Sequence, residues 1–263
     1  MKIGICGLGF VGSAINSFLK NTTHEVFIYD KYKNINSFNT IIDTDILFIC
    51  LPTPFCDIIS TYDMGEINTT FYQLDKYKYK GIVLIKSTIL PNYCFDINNI
   101  YTELKIMSNP EFLSAKTAEY DFAHQSHIII GHTCQSEQYI DIIKKFYIDL
   151  FPKAKLSITN SNTSSLTKIA CNSFYATKIQ FFTEIFLLCN KTNIPYDDVK
   201  NLMLSNNWIN PMHTNVPGPD NNISYGGACL PKDIMALNCL MKTNDTMNDV
   251  INATIYERNK IRN

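Results

Sequence analysis

Residues 225–234 read YGGACLPKDI, which sets Cys229 behind Gly226 and Gly227 and ahead of Pro231, Lys232 and Asp233. Glycines before and a Pro-Lys-Asp triplet after are poor material for a buried helix or strand, so the thiol is expected on a loop, where a cysteine can act as a nucleophile. The plainer reading is one more buried thiol among nine. A second stretch, GLGFVG, places Gly7, Gly9 and Gly12 at the spacing G-x-G-x-x-G, with Phe10 and Val11 between them. In that pattern the first glycine makes the turn, the second lets a pyrophosphate approach the backbone, and the third permits close helix packing. Asp30 follows eighteen residues after Gly12, at the end of the second apolar run, where a carboxylate can bond both hydroxyls of an adenosine ribose. That charge repels a 2′-phosphate and favours NAD over NADP, although Lys31 and Lys33 weaken the preference.

Three further stretches carry polar groups where a ligand would meet them: KSTILP (86–91) with Thr88, NPEFL (109–113) with Glu111, and TKIACNSFYATKIQFFTE (167–184). The first two follow apolar runs, and strand ends of a doubly wound sheet border its ligand crevice. In the third, Lys168 and Asn172 are four apart, which puts an ammonium and an amide on one face of a helix. Taken singly, Thr88 also reads as a turn residue, Glu111 as a solvated carboxylate, Lys168 as a surface lysine and Asn172 as a cap.

The elements that must position these groups show in the apolar pattern. KIGIC (2–6), EVFIY (25–29), DILFIC (45–50), GIVLIK (81–86), ELKIM (103–107) and SHIII (126–130) are short β-branched runs, as expected of strands covered on both faces. Several are separated by room for a helix, which predicts a Rossmann-type, doubly wound parallel sheet. After residue 160 apolar positions fall at helical spacing, opening with Leu166, Ile169 and Ala170, and strand-like runs cease. The boundary is set there: 1–160 as the dinucleotide-binding domain and 161–263 as an all-helical domain, whose last thirty residues read as helix broken near 243–245.

Composition narrows the function classes. The chain has 263 residues, 46% of them hydrophobic, and 23 basic against 24 acidic groups, enough for a sizeable core and without the basic stripe of a nucleic-acid binder. No apolar run reaches the ~20 residues of a membrane span, and the start lacks the charged flank and cleavage site of a signal peptide. Nine cysteines at irregular spacings, with no Cys-x-x-Cys pair, read as reduced thiols of a cytoplasmic protein and not as disulfides or a zinc site.

Taken together, GLGFVG, KST, NPEFL, the Lys168–Asn172 spacing and GGACLPKD resemble, in order and over nearly the whole chain, the UDP-glucose 6-dehydrogenases within the UDP-glucose/GDP-mannose dehydrogenase family. The resemblance implies an NAD-dependent enzyme that oxidises the 6-hydroxymethyl group of a nucleotide sugar to a carboxylate in two hydride transfers. It implies that Cys229 attacks the intermediate aldehyde, giving a thiohemiacetal and then a thioester that water cleaves. Lys168 would lower the thiol's pKa and steady the oxyanion; Asp233 and Asn172 would flank the centre, with Asp233 helping to activate water, and Glu111 and Thr88 would position water and substrate. Phe112, Leu113 and Gly226 would border the sugar, while Thr53, Thr88 and Lys232 would join Gly7, Gly9, Phe10, Val11, Gly12 and Asp30 around the cofactor. No metal is implied. UDP-glucose is favoured as substrate, and a homodimer formed through the helical domain is expected. Two departures stand out: Ala115 occupies the place of a second glutamate common in the family, and the 263 residues stop before the further α/β domain that grips the uridine diphosphate, which a partner chain could supply. Beside this reading stand a two-electron β-hydroxyacid-type dehydrogenase with no role for the thiol, and a catalytically weak NAD-binding dimerisation module.

Overall fold

The computed structural model describes residues 1–262. Two compact units are resolved: Met1–Pro54 with Tyr62–Lys168, and Phe55–Thr61 with the chain from Ile169 on.

The first unit is built on the apolar runs. Strands β1 (Lys2–Cys6), β2 (Glu25–Tyr29) and β3 (Ile46–Ile49) are followed in sequence by a short hairpin, β4 (Phe55–Cys56) and β5 (Thr61–Tyr62), most of which belongs to the second unit, and then by β6 (Ile82–Ile85), β7 (Lys105–Ser108), β8 (His127–His132) and β9 (Lys155–Asn160). Seven of them form one sheet in the order β2-β1-β3-β6-β7-β8-β9. Helices α1 (Phe10–Leu19), α2 (Gly65–Lys76), α3 (Tyr93–Ile100), α4 (Ala118–Ala123) and α5 (Ile140–Leu150) make the connections. Both sheet faces are covered. Ile3, Ile5, Phe48, Leu84 and Ile130 lie in one apolar cluster with α1 and α5 residues, while Leu47, Ile49, Val83 and Ile85 lie in another with α2 and α3 residues. Burial on both sides explains why these strands read as continuous apolar runs.

Two features differ from the expected all-parallel sheet. Strand β8 pairs antiparallel with β7, Met107 opposite His132, and the connection between them holds only the six-residue α4. Strand β9, parallel to β8, is an added half-buried strand, KLSITN, without an apolar run to announce it.

Strands β2 and β3 flank β1 on opposite sides. The winding therefore reverses between β1 and β3, and the crevice beyond their carboxyl ends is the place where ligands sit in such sheets.

The second unit is helical. Helix α6 (Ser161–Thr192) runs 32 residues, and α7 (Tyr196–Leu204), α8 (Leu230–Thr243) and α9 (Asp249–Ile261) follow. Ala176, Tyr225 and Ile234 are buried together with Ile251 and Ile255 packed on them, and Phe182, Cys189 and Tyr196 form a second cluster. The unit division falls inside α6, eight residues past the end of β9. Among the described residues, no helix is long and apolar enough to cross a membrane.

Candidate active site

Strand β1 ends at Cys6, and Gly7 follows with φ of 93°, a conformation that favours glycine. A Cβ on Gly7 would lie 2.6 Å from the Cys50 carbonyl oxygen, and one on Gly12 only 1.9 Å from the Gly7 carbonyl oxygen. These two glycines let the turn fold tightly against β3 and α1. Gly9 differs: nothing lies within 4 Å of where its Cβ would be, and it caps the N-terminus of α1, where backbone N–H groups and the helix dipole favour an anion.

A cavity of about 470 Å³ opens at this turn, bordered by Gly7, Gly9, Phe10, Val11, Asp30 and the β3 exit at Cys50–Pro52. Asp30 accepts hydrogen bonds from the Leu8 N–H at 2.7 Å and the Lys33 N–H at 2.8 Å. Burial would raise its carboxyl, but the backbone N–H groups of Leu8, Lys33 and Tyr32 and the Lys33 ammonium outweigh this and hold it below its ordinary value. An open anion-binding helix end, a strand-end carboxylate kept ionised and a cavity between them fit a dinucleotide: the diphosphate at Gly9 and the ribose hydroxyls at Asp30.

Behind this cavity the exits of β3 and β6 are tied together. The Leu51 N–H donates to Ser87 Oγ at 2.9 Å, Ser87 Oγ donates to the Leu51 carbonyl at 2.7 Å, and Thr53 Oγ1 donates to the Thr88 carbonyl at 2.9 Å. Thr53 is buried and braces the loop without bordering the cavity. Thr88 borders a narrow recess with Ser108, Pro110, Ser165 and Lys168, so two of the expected site residues meet there.

The NPEFL stretch is anchored by the fully buried Asn109, whose Nδ2 donates to the Ile129 carbonyl at 2.8 Å and whose Oδ1 accepts from Tyr147. This fixes Glu111. Its Oε2 accepts from the Leu113 N–H at 2.6 Å, and its Oε1 faces Lys168 Nζ at 3.2 Å. Lys168 is 4% exposed, and its ammonium lies 5.1 Å from the Phe112 ring centre. The surface-lysine and solvated-carboxylate readings therefore do not hold: this is a buried ion pair. Leu113 packs on the sheet core, and Ala115 lies in the exposed loop that follows.

In the second unit, Asp233 is fully buried, accepting from Asn172 Nδ2 at 2.6 Å and from Lys232 Nζ at 2.5 Å. Both carboxylate oxygens are engaged, so Asp233 orients the amide and the ammonium. Cys229 is exposed and lies on the turn 227–229, as expected of a loop residue, directly before α8, whose N-cap it is. Pro231 does not break the helix because the first turn has no intrahelical use for its missing N–H. The thiol thus stands at a helix N-terminus. A Cβ at Gly226 would meet the Arg262 guanidinium at 2.1 Å, so a side chain there would displace Arg262. Arg262 in turn holds the Ile223 and Ser224 carbonyls and the Asp220 carboxylate.

Lys86, the lysine of KST, carries no role in the sequence reading. It is 3% exposed, with Phe48, Phe122 and Tyr147 ring centres 5.8–5.9 Å from its ammonium. Burial lowers its pKa to about 8, against the opposing influence of Cys50 and Glu111. Its signal was a lysine closing a four-residue apolar strand. Glu66 and Tyr32, both on the cavity wall, had no signal in spacing.

Residues 29–151 match the NAD binding domain of the UDP-glucose/GDP-mannose dehydrogenase family, and residues 162–260 match that family's central domain. A UDP-glucose 6-dehydrogenase of Rickettsia bellii is 34% identical over 222 residues, covering 81% of this chain and 49% of the relative. One from Campylobacter jejuni is 27% identical over 300 residues, covering all of this chain and 72% of the relative. A solved UDP-glucose dehydrogenase of Pyrobaculum islandicum superposes with a TM-score of 0.86 at 20% identity, over 98% of this chain and 68% of the other. The chain spans about half the length of the Rickettsia relatives it matches.

Proposed function

Because the chain belongs to the UDP-glucose/GDP-mannose dehydrogenase family, we propose that it acts in the NAD-dependent oxidation of a nucleotide sugar, UDP-glucose by preference, from the 6-hydroxymethyl group to the uronic acid. The observation that carries the reading is the exposed Cys229 at the start of α8, one turn before the buried Asp233 that fixes Asn172 and Lys232. NAD, held at the glycine turn and Asp30, would supply the hydride acceptor for the two oxidations.

The chain's own residues have distinct tasks in this proposal. Gly7, Gly9 and Gly12 shape the diphosphate cradle, with Phe10, Val11 and Asp30 on the same cavity wall. Thr53 and Thr88 hold the loop edge beside it. Cys229 Sγ forms a bond to the aldehyde carbon of the half-oxidised sugar while the carbonyl oxygen becomes a hydroxyl, and after the second oxidation the same carbon is a thioester. Lys168 supplies the positive charge that the tetrahedral oxygen needs, with Asn172 as a neutral donor. Glu111, held beside Lys168, orients water, which adds to the thioester; the C–S bond then breaks and the thiol is restored. Asp233 keeps Asn172 and Lys232 in place. Phe112, Leu113 and Gly226 bound the sugar.

Replacing Cys229 with Ser tests this. Acid formation from UDP-glucose should fall to background while NAD binding is kept; turnover to acid at the unaltered rate by Cys229→Ser would reject the covalent step.

A further inference from the structure

The wall of the cofactor cavity holds a charge arrangement that spacing does not reveal. Lys31 and Lys33 flank Asp30, and two lysines beside a ribose-binding carboxylate would ordinarily invite a 2′-phosphate. Each cation is committed elsewhere. Lys33 Nζ donates to the Leu8 carbonyl at 2.6 Å, across the glycine turn. Lys31 Nζ lies 3.1 and 3.4 Å from the two oxygens of Glu66, and Tyr32 Oη donates to the same carboxylate at 2.7 Å. Glu66 stands in the first turn of α2, thirty-five residues from Lys31, and borders the same cavity as Asp30. The hydrogen bond from Tyr32, then Lys31, keep the Glu66 carboxyl below its ordinary pKa against a smaller opposing effect of burial.

We propose that Glu66 is a second coenzyme-specificity residue: by holding Lys31 and Tyr32 it withholds the Lys31 ammonium from a ribose 2′-phosphate. The preference for NAD over NADP is then set by two carboxylates, Asp30 just past β2 through its own charge and Glu66 on α2 through Lys31. Discrimination by repulsion is the efficient route here, since both coenzymes make the same contacts everywhere except at the 2′ position. The inference rests on the reading that the cavity holds NAD.

The test is calorimetric titration of NAD and NADP into the purified chain, unaltered and as Glu66→Gln, Lys31→Met and the double variant, with a thermal melt to confirm that each is folded. The unaltered chain should bind NAD more tightly than NADP. Glu66→Gln should shrink that ratio by about tenfold, the size of one solvent-screened charge contact, because Lys31 is released. Adding Lys31→Met should restore the ratio, and Lys31→Met alone should leave it within about twofold of the start. A ratio that Glu66→Gln does not move, or that the second substitution does not restore, overturns the assignment of Glu66 while leaving the cofactor site intact. An unaltered chain that binds neither coenzyme overturns the cofactor reading itself and this assignment with it.

Discussion

Lys86 is the sharpest point at which the fold can be tested by titration. Its ammonium is buried among Phe48, Phe122 and Tyr147, and burial lowers its pKa from 10.5 to about 8. A lysine depressed in the folded state works against folding at low pH, where both states are protonated, and the penalty lifts as pH rises through the folded value toward the unfolded one. That depression corresponds to about 3 kcal/mol of destabilisation at pH 7. By pH 9 the folded amine is mostly neutral and the unfolded one still charged, so the penalty falls by roughly 1 kcal/mol. Lys86→Met removes this dependence. Urea unfolding followed by far-ultraviolet circular dichroism at pH 7 and pH 9 should show the unaltered chain gaining about 1 kcal/mol relative to Lys86→Met as pH rises, with the denaturant slope unchanged. Parallel pH dependences would refute a buried amine with a depressed pKa, and a relative loss at pH 9 would reverse the sign of the argument.

The Lys168–Glu111 pair should be costly to break by halves. Lys168→Met leaves the half-buried Glu111 carboxylate without its cation and should lower stability by about 3 kcal/mol, whereas the double variant Lys168→Met, Glu111→Leu should lose less than the sum of the single losses, as a double-mutant cycle in urea would read. The glycine turn separates packing from binding: Gly12→Ala should destabilise by about 2 kcal/mol or more because its Cβ collides with the Gly7 carbonyl, while Gly9→Ala should melt normally and weaken NAD binding measured by calorimetry. Asp30→Asn should weaken NAD roughly tenfold. Because the Asp30 carboxyl is held below its ordinary value, its contribution to stability is present above about pH 4 and lost below, so acid unfolding curves of Asp30→Asn and the unaltered chain should converge there.

The sheet is legible because β1, β3 and β6 are buried on both faces and so lack polar interruptions. Strand β9 was hidden by its half-exposed KLSITN pattern, and the reversed direction of β8 by the fact that an apolar run looks the same from either end. The glycine cradle and Asp30 were readable because their roles follow from backbone conformation and short-range spacing. The loop position of Cys229 is readable, but the helix that starts at Leu230 is hidden because Pro231 reads as a breaker everywhere except in a first turn. Lys86 was passed over because lysines are seldom buried. Glu66 meets Lys31 only through the fold.

The central claim is that the sulfur of Cys229 turns a two-electron oxidation into a four-electron one. Counting NADH formed per UDP-glucose consumed, under limiting sugar with the acid product quantified in the same samples, addresses it directly. Two NADH per sugar with uronic acid as the product is the expected result. One NADH per sugar, with a rate indifferent to Cys229→Ser, would contradict it.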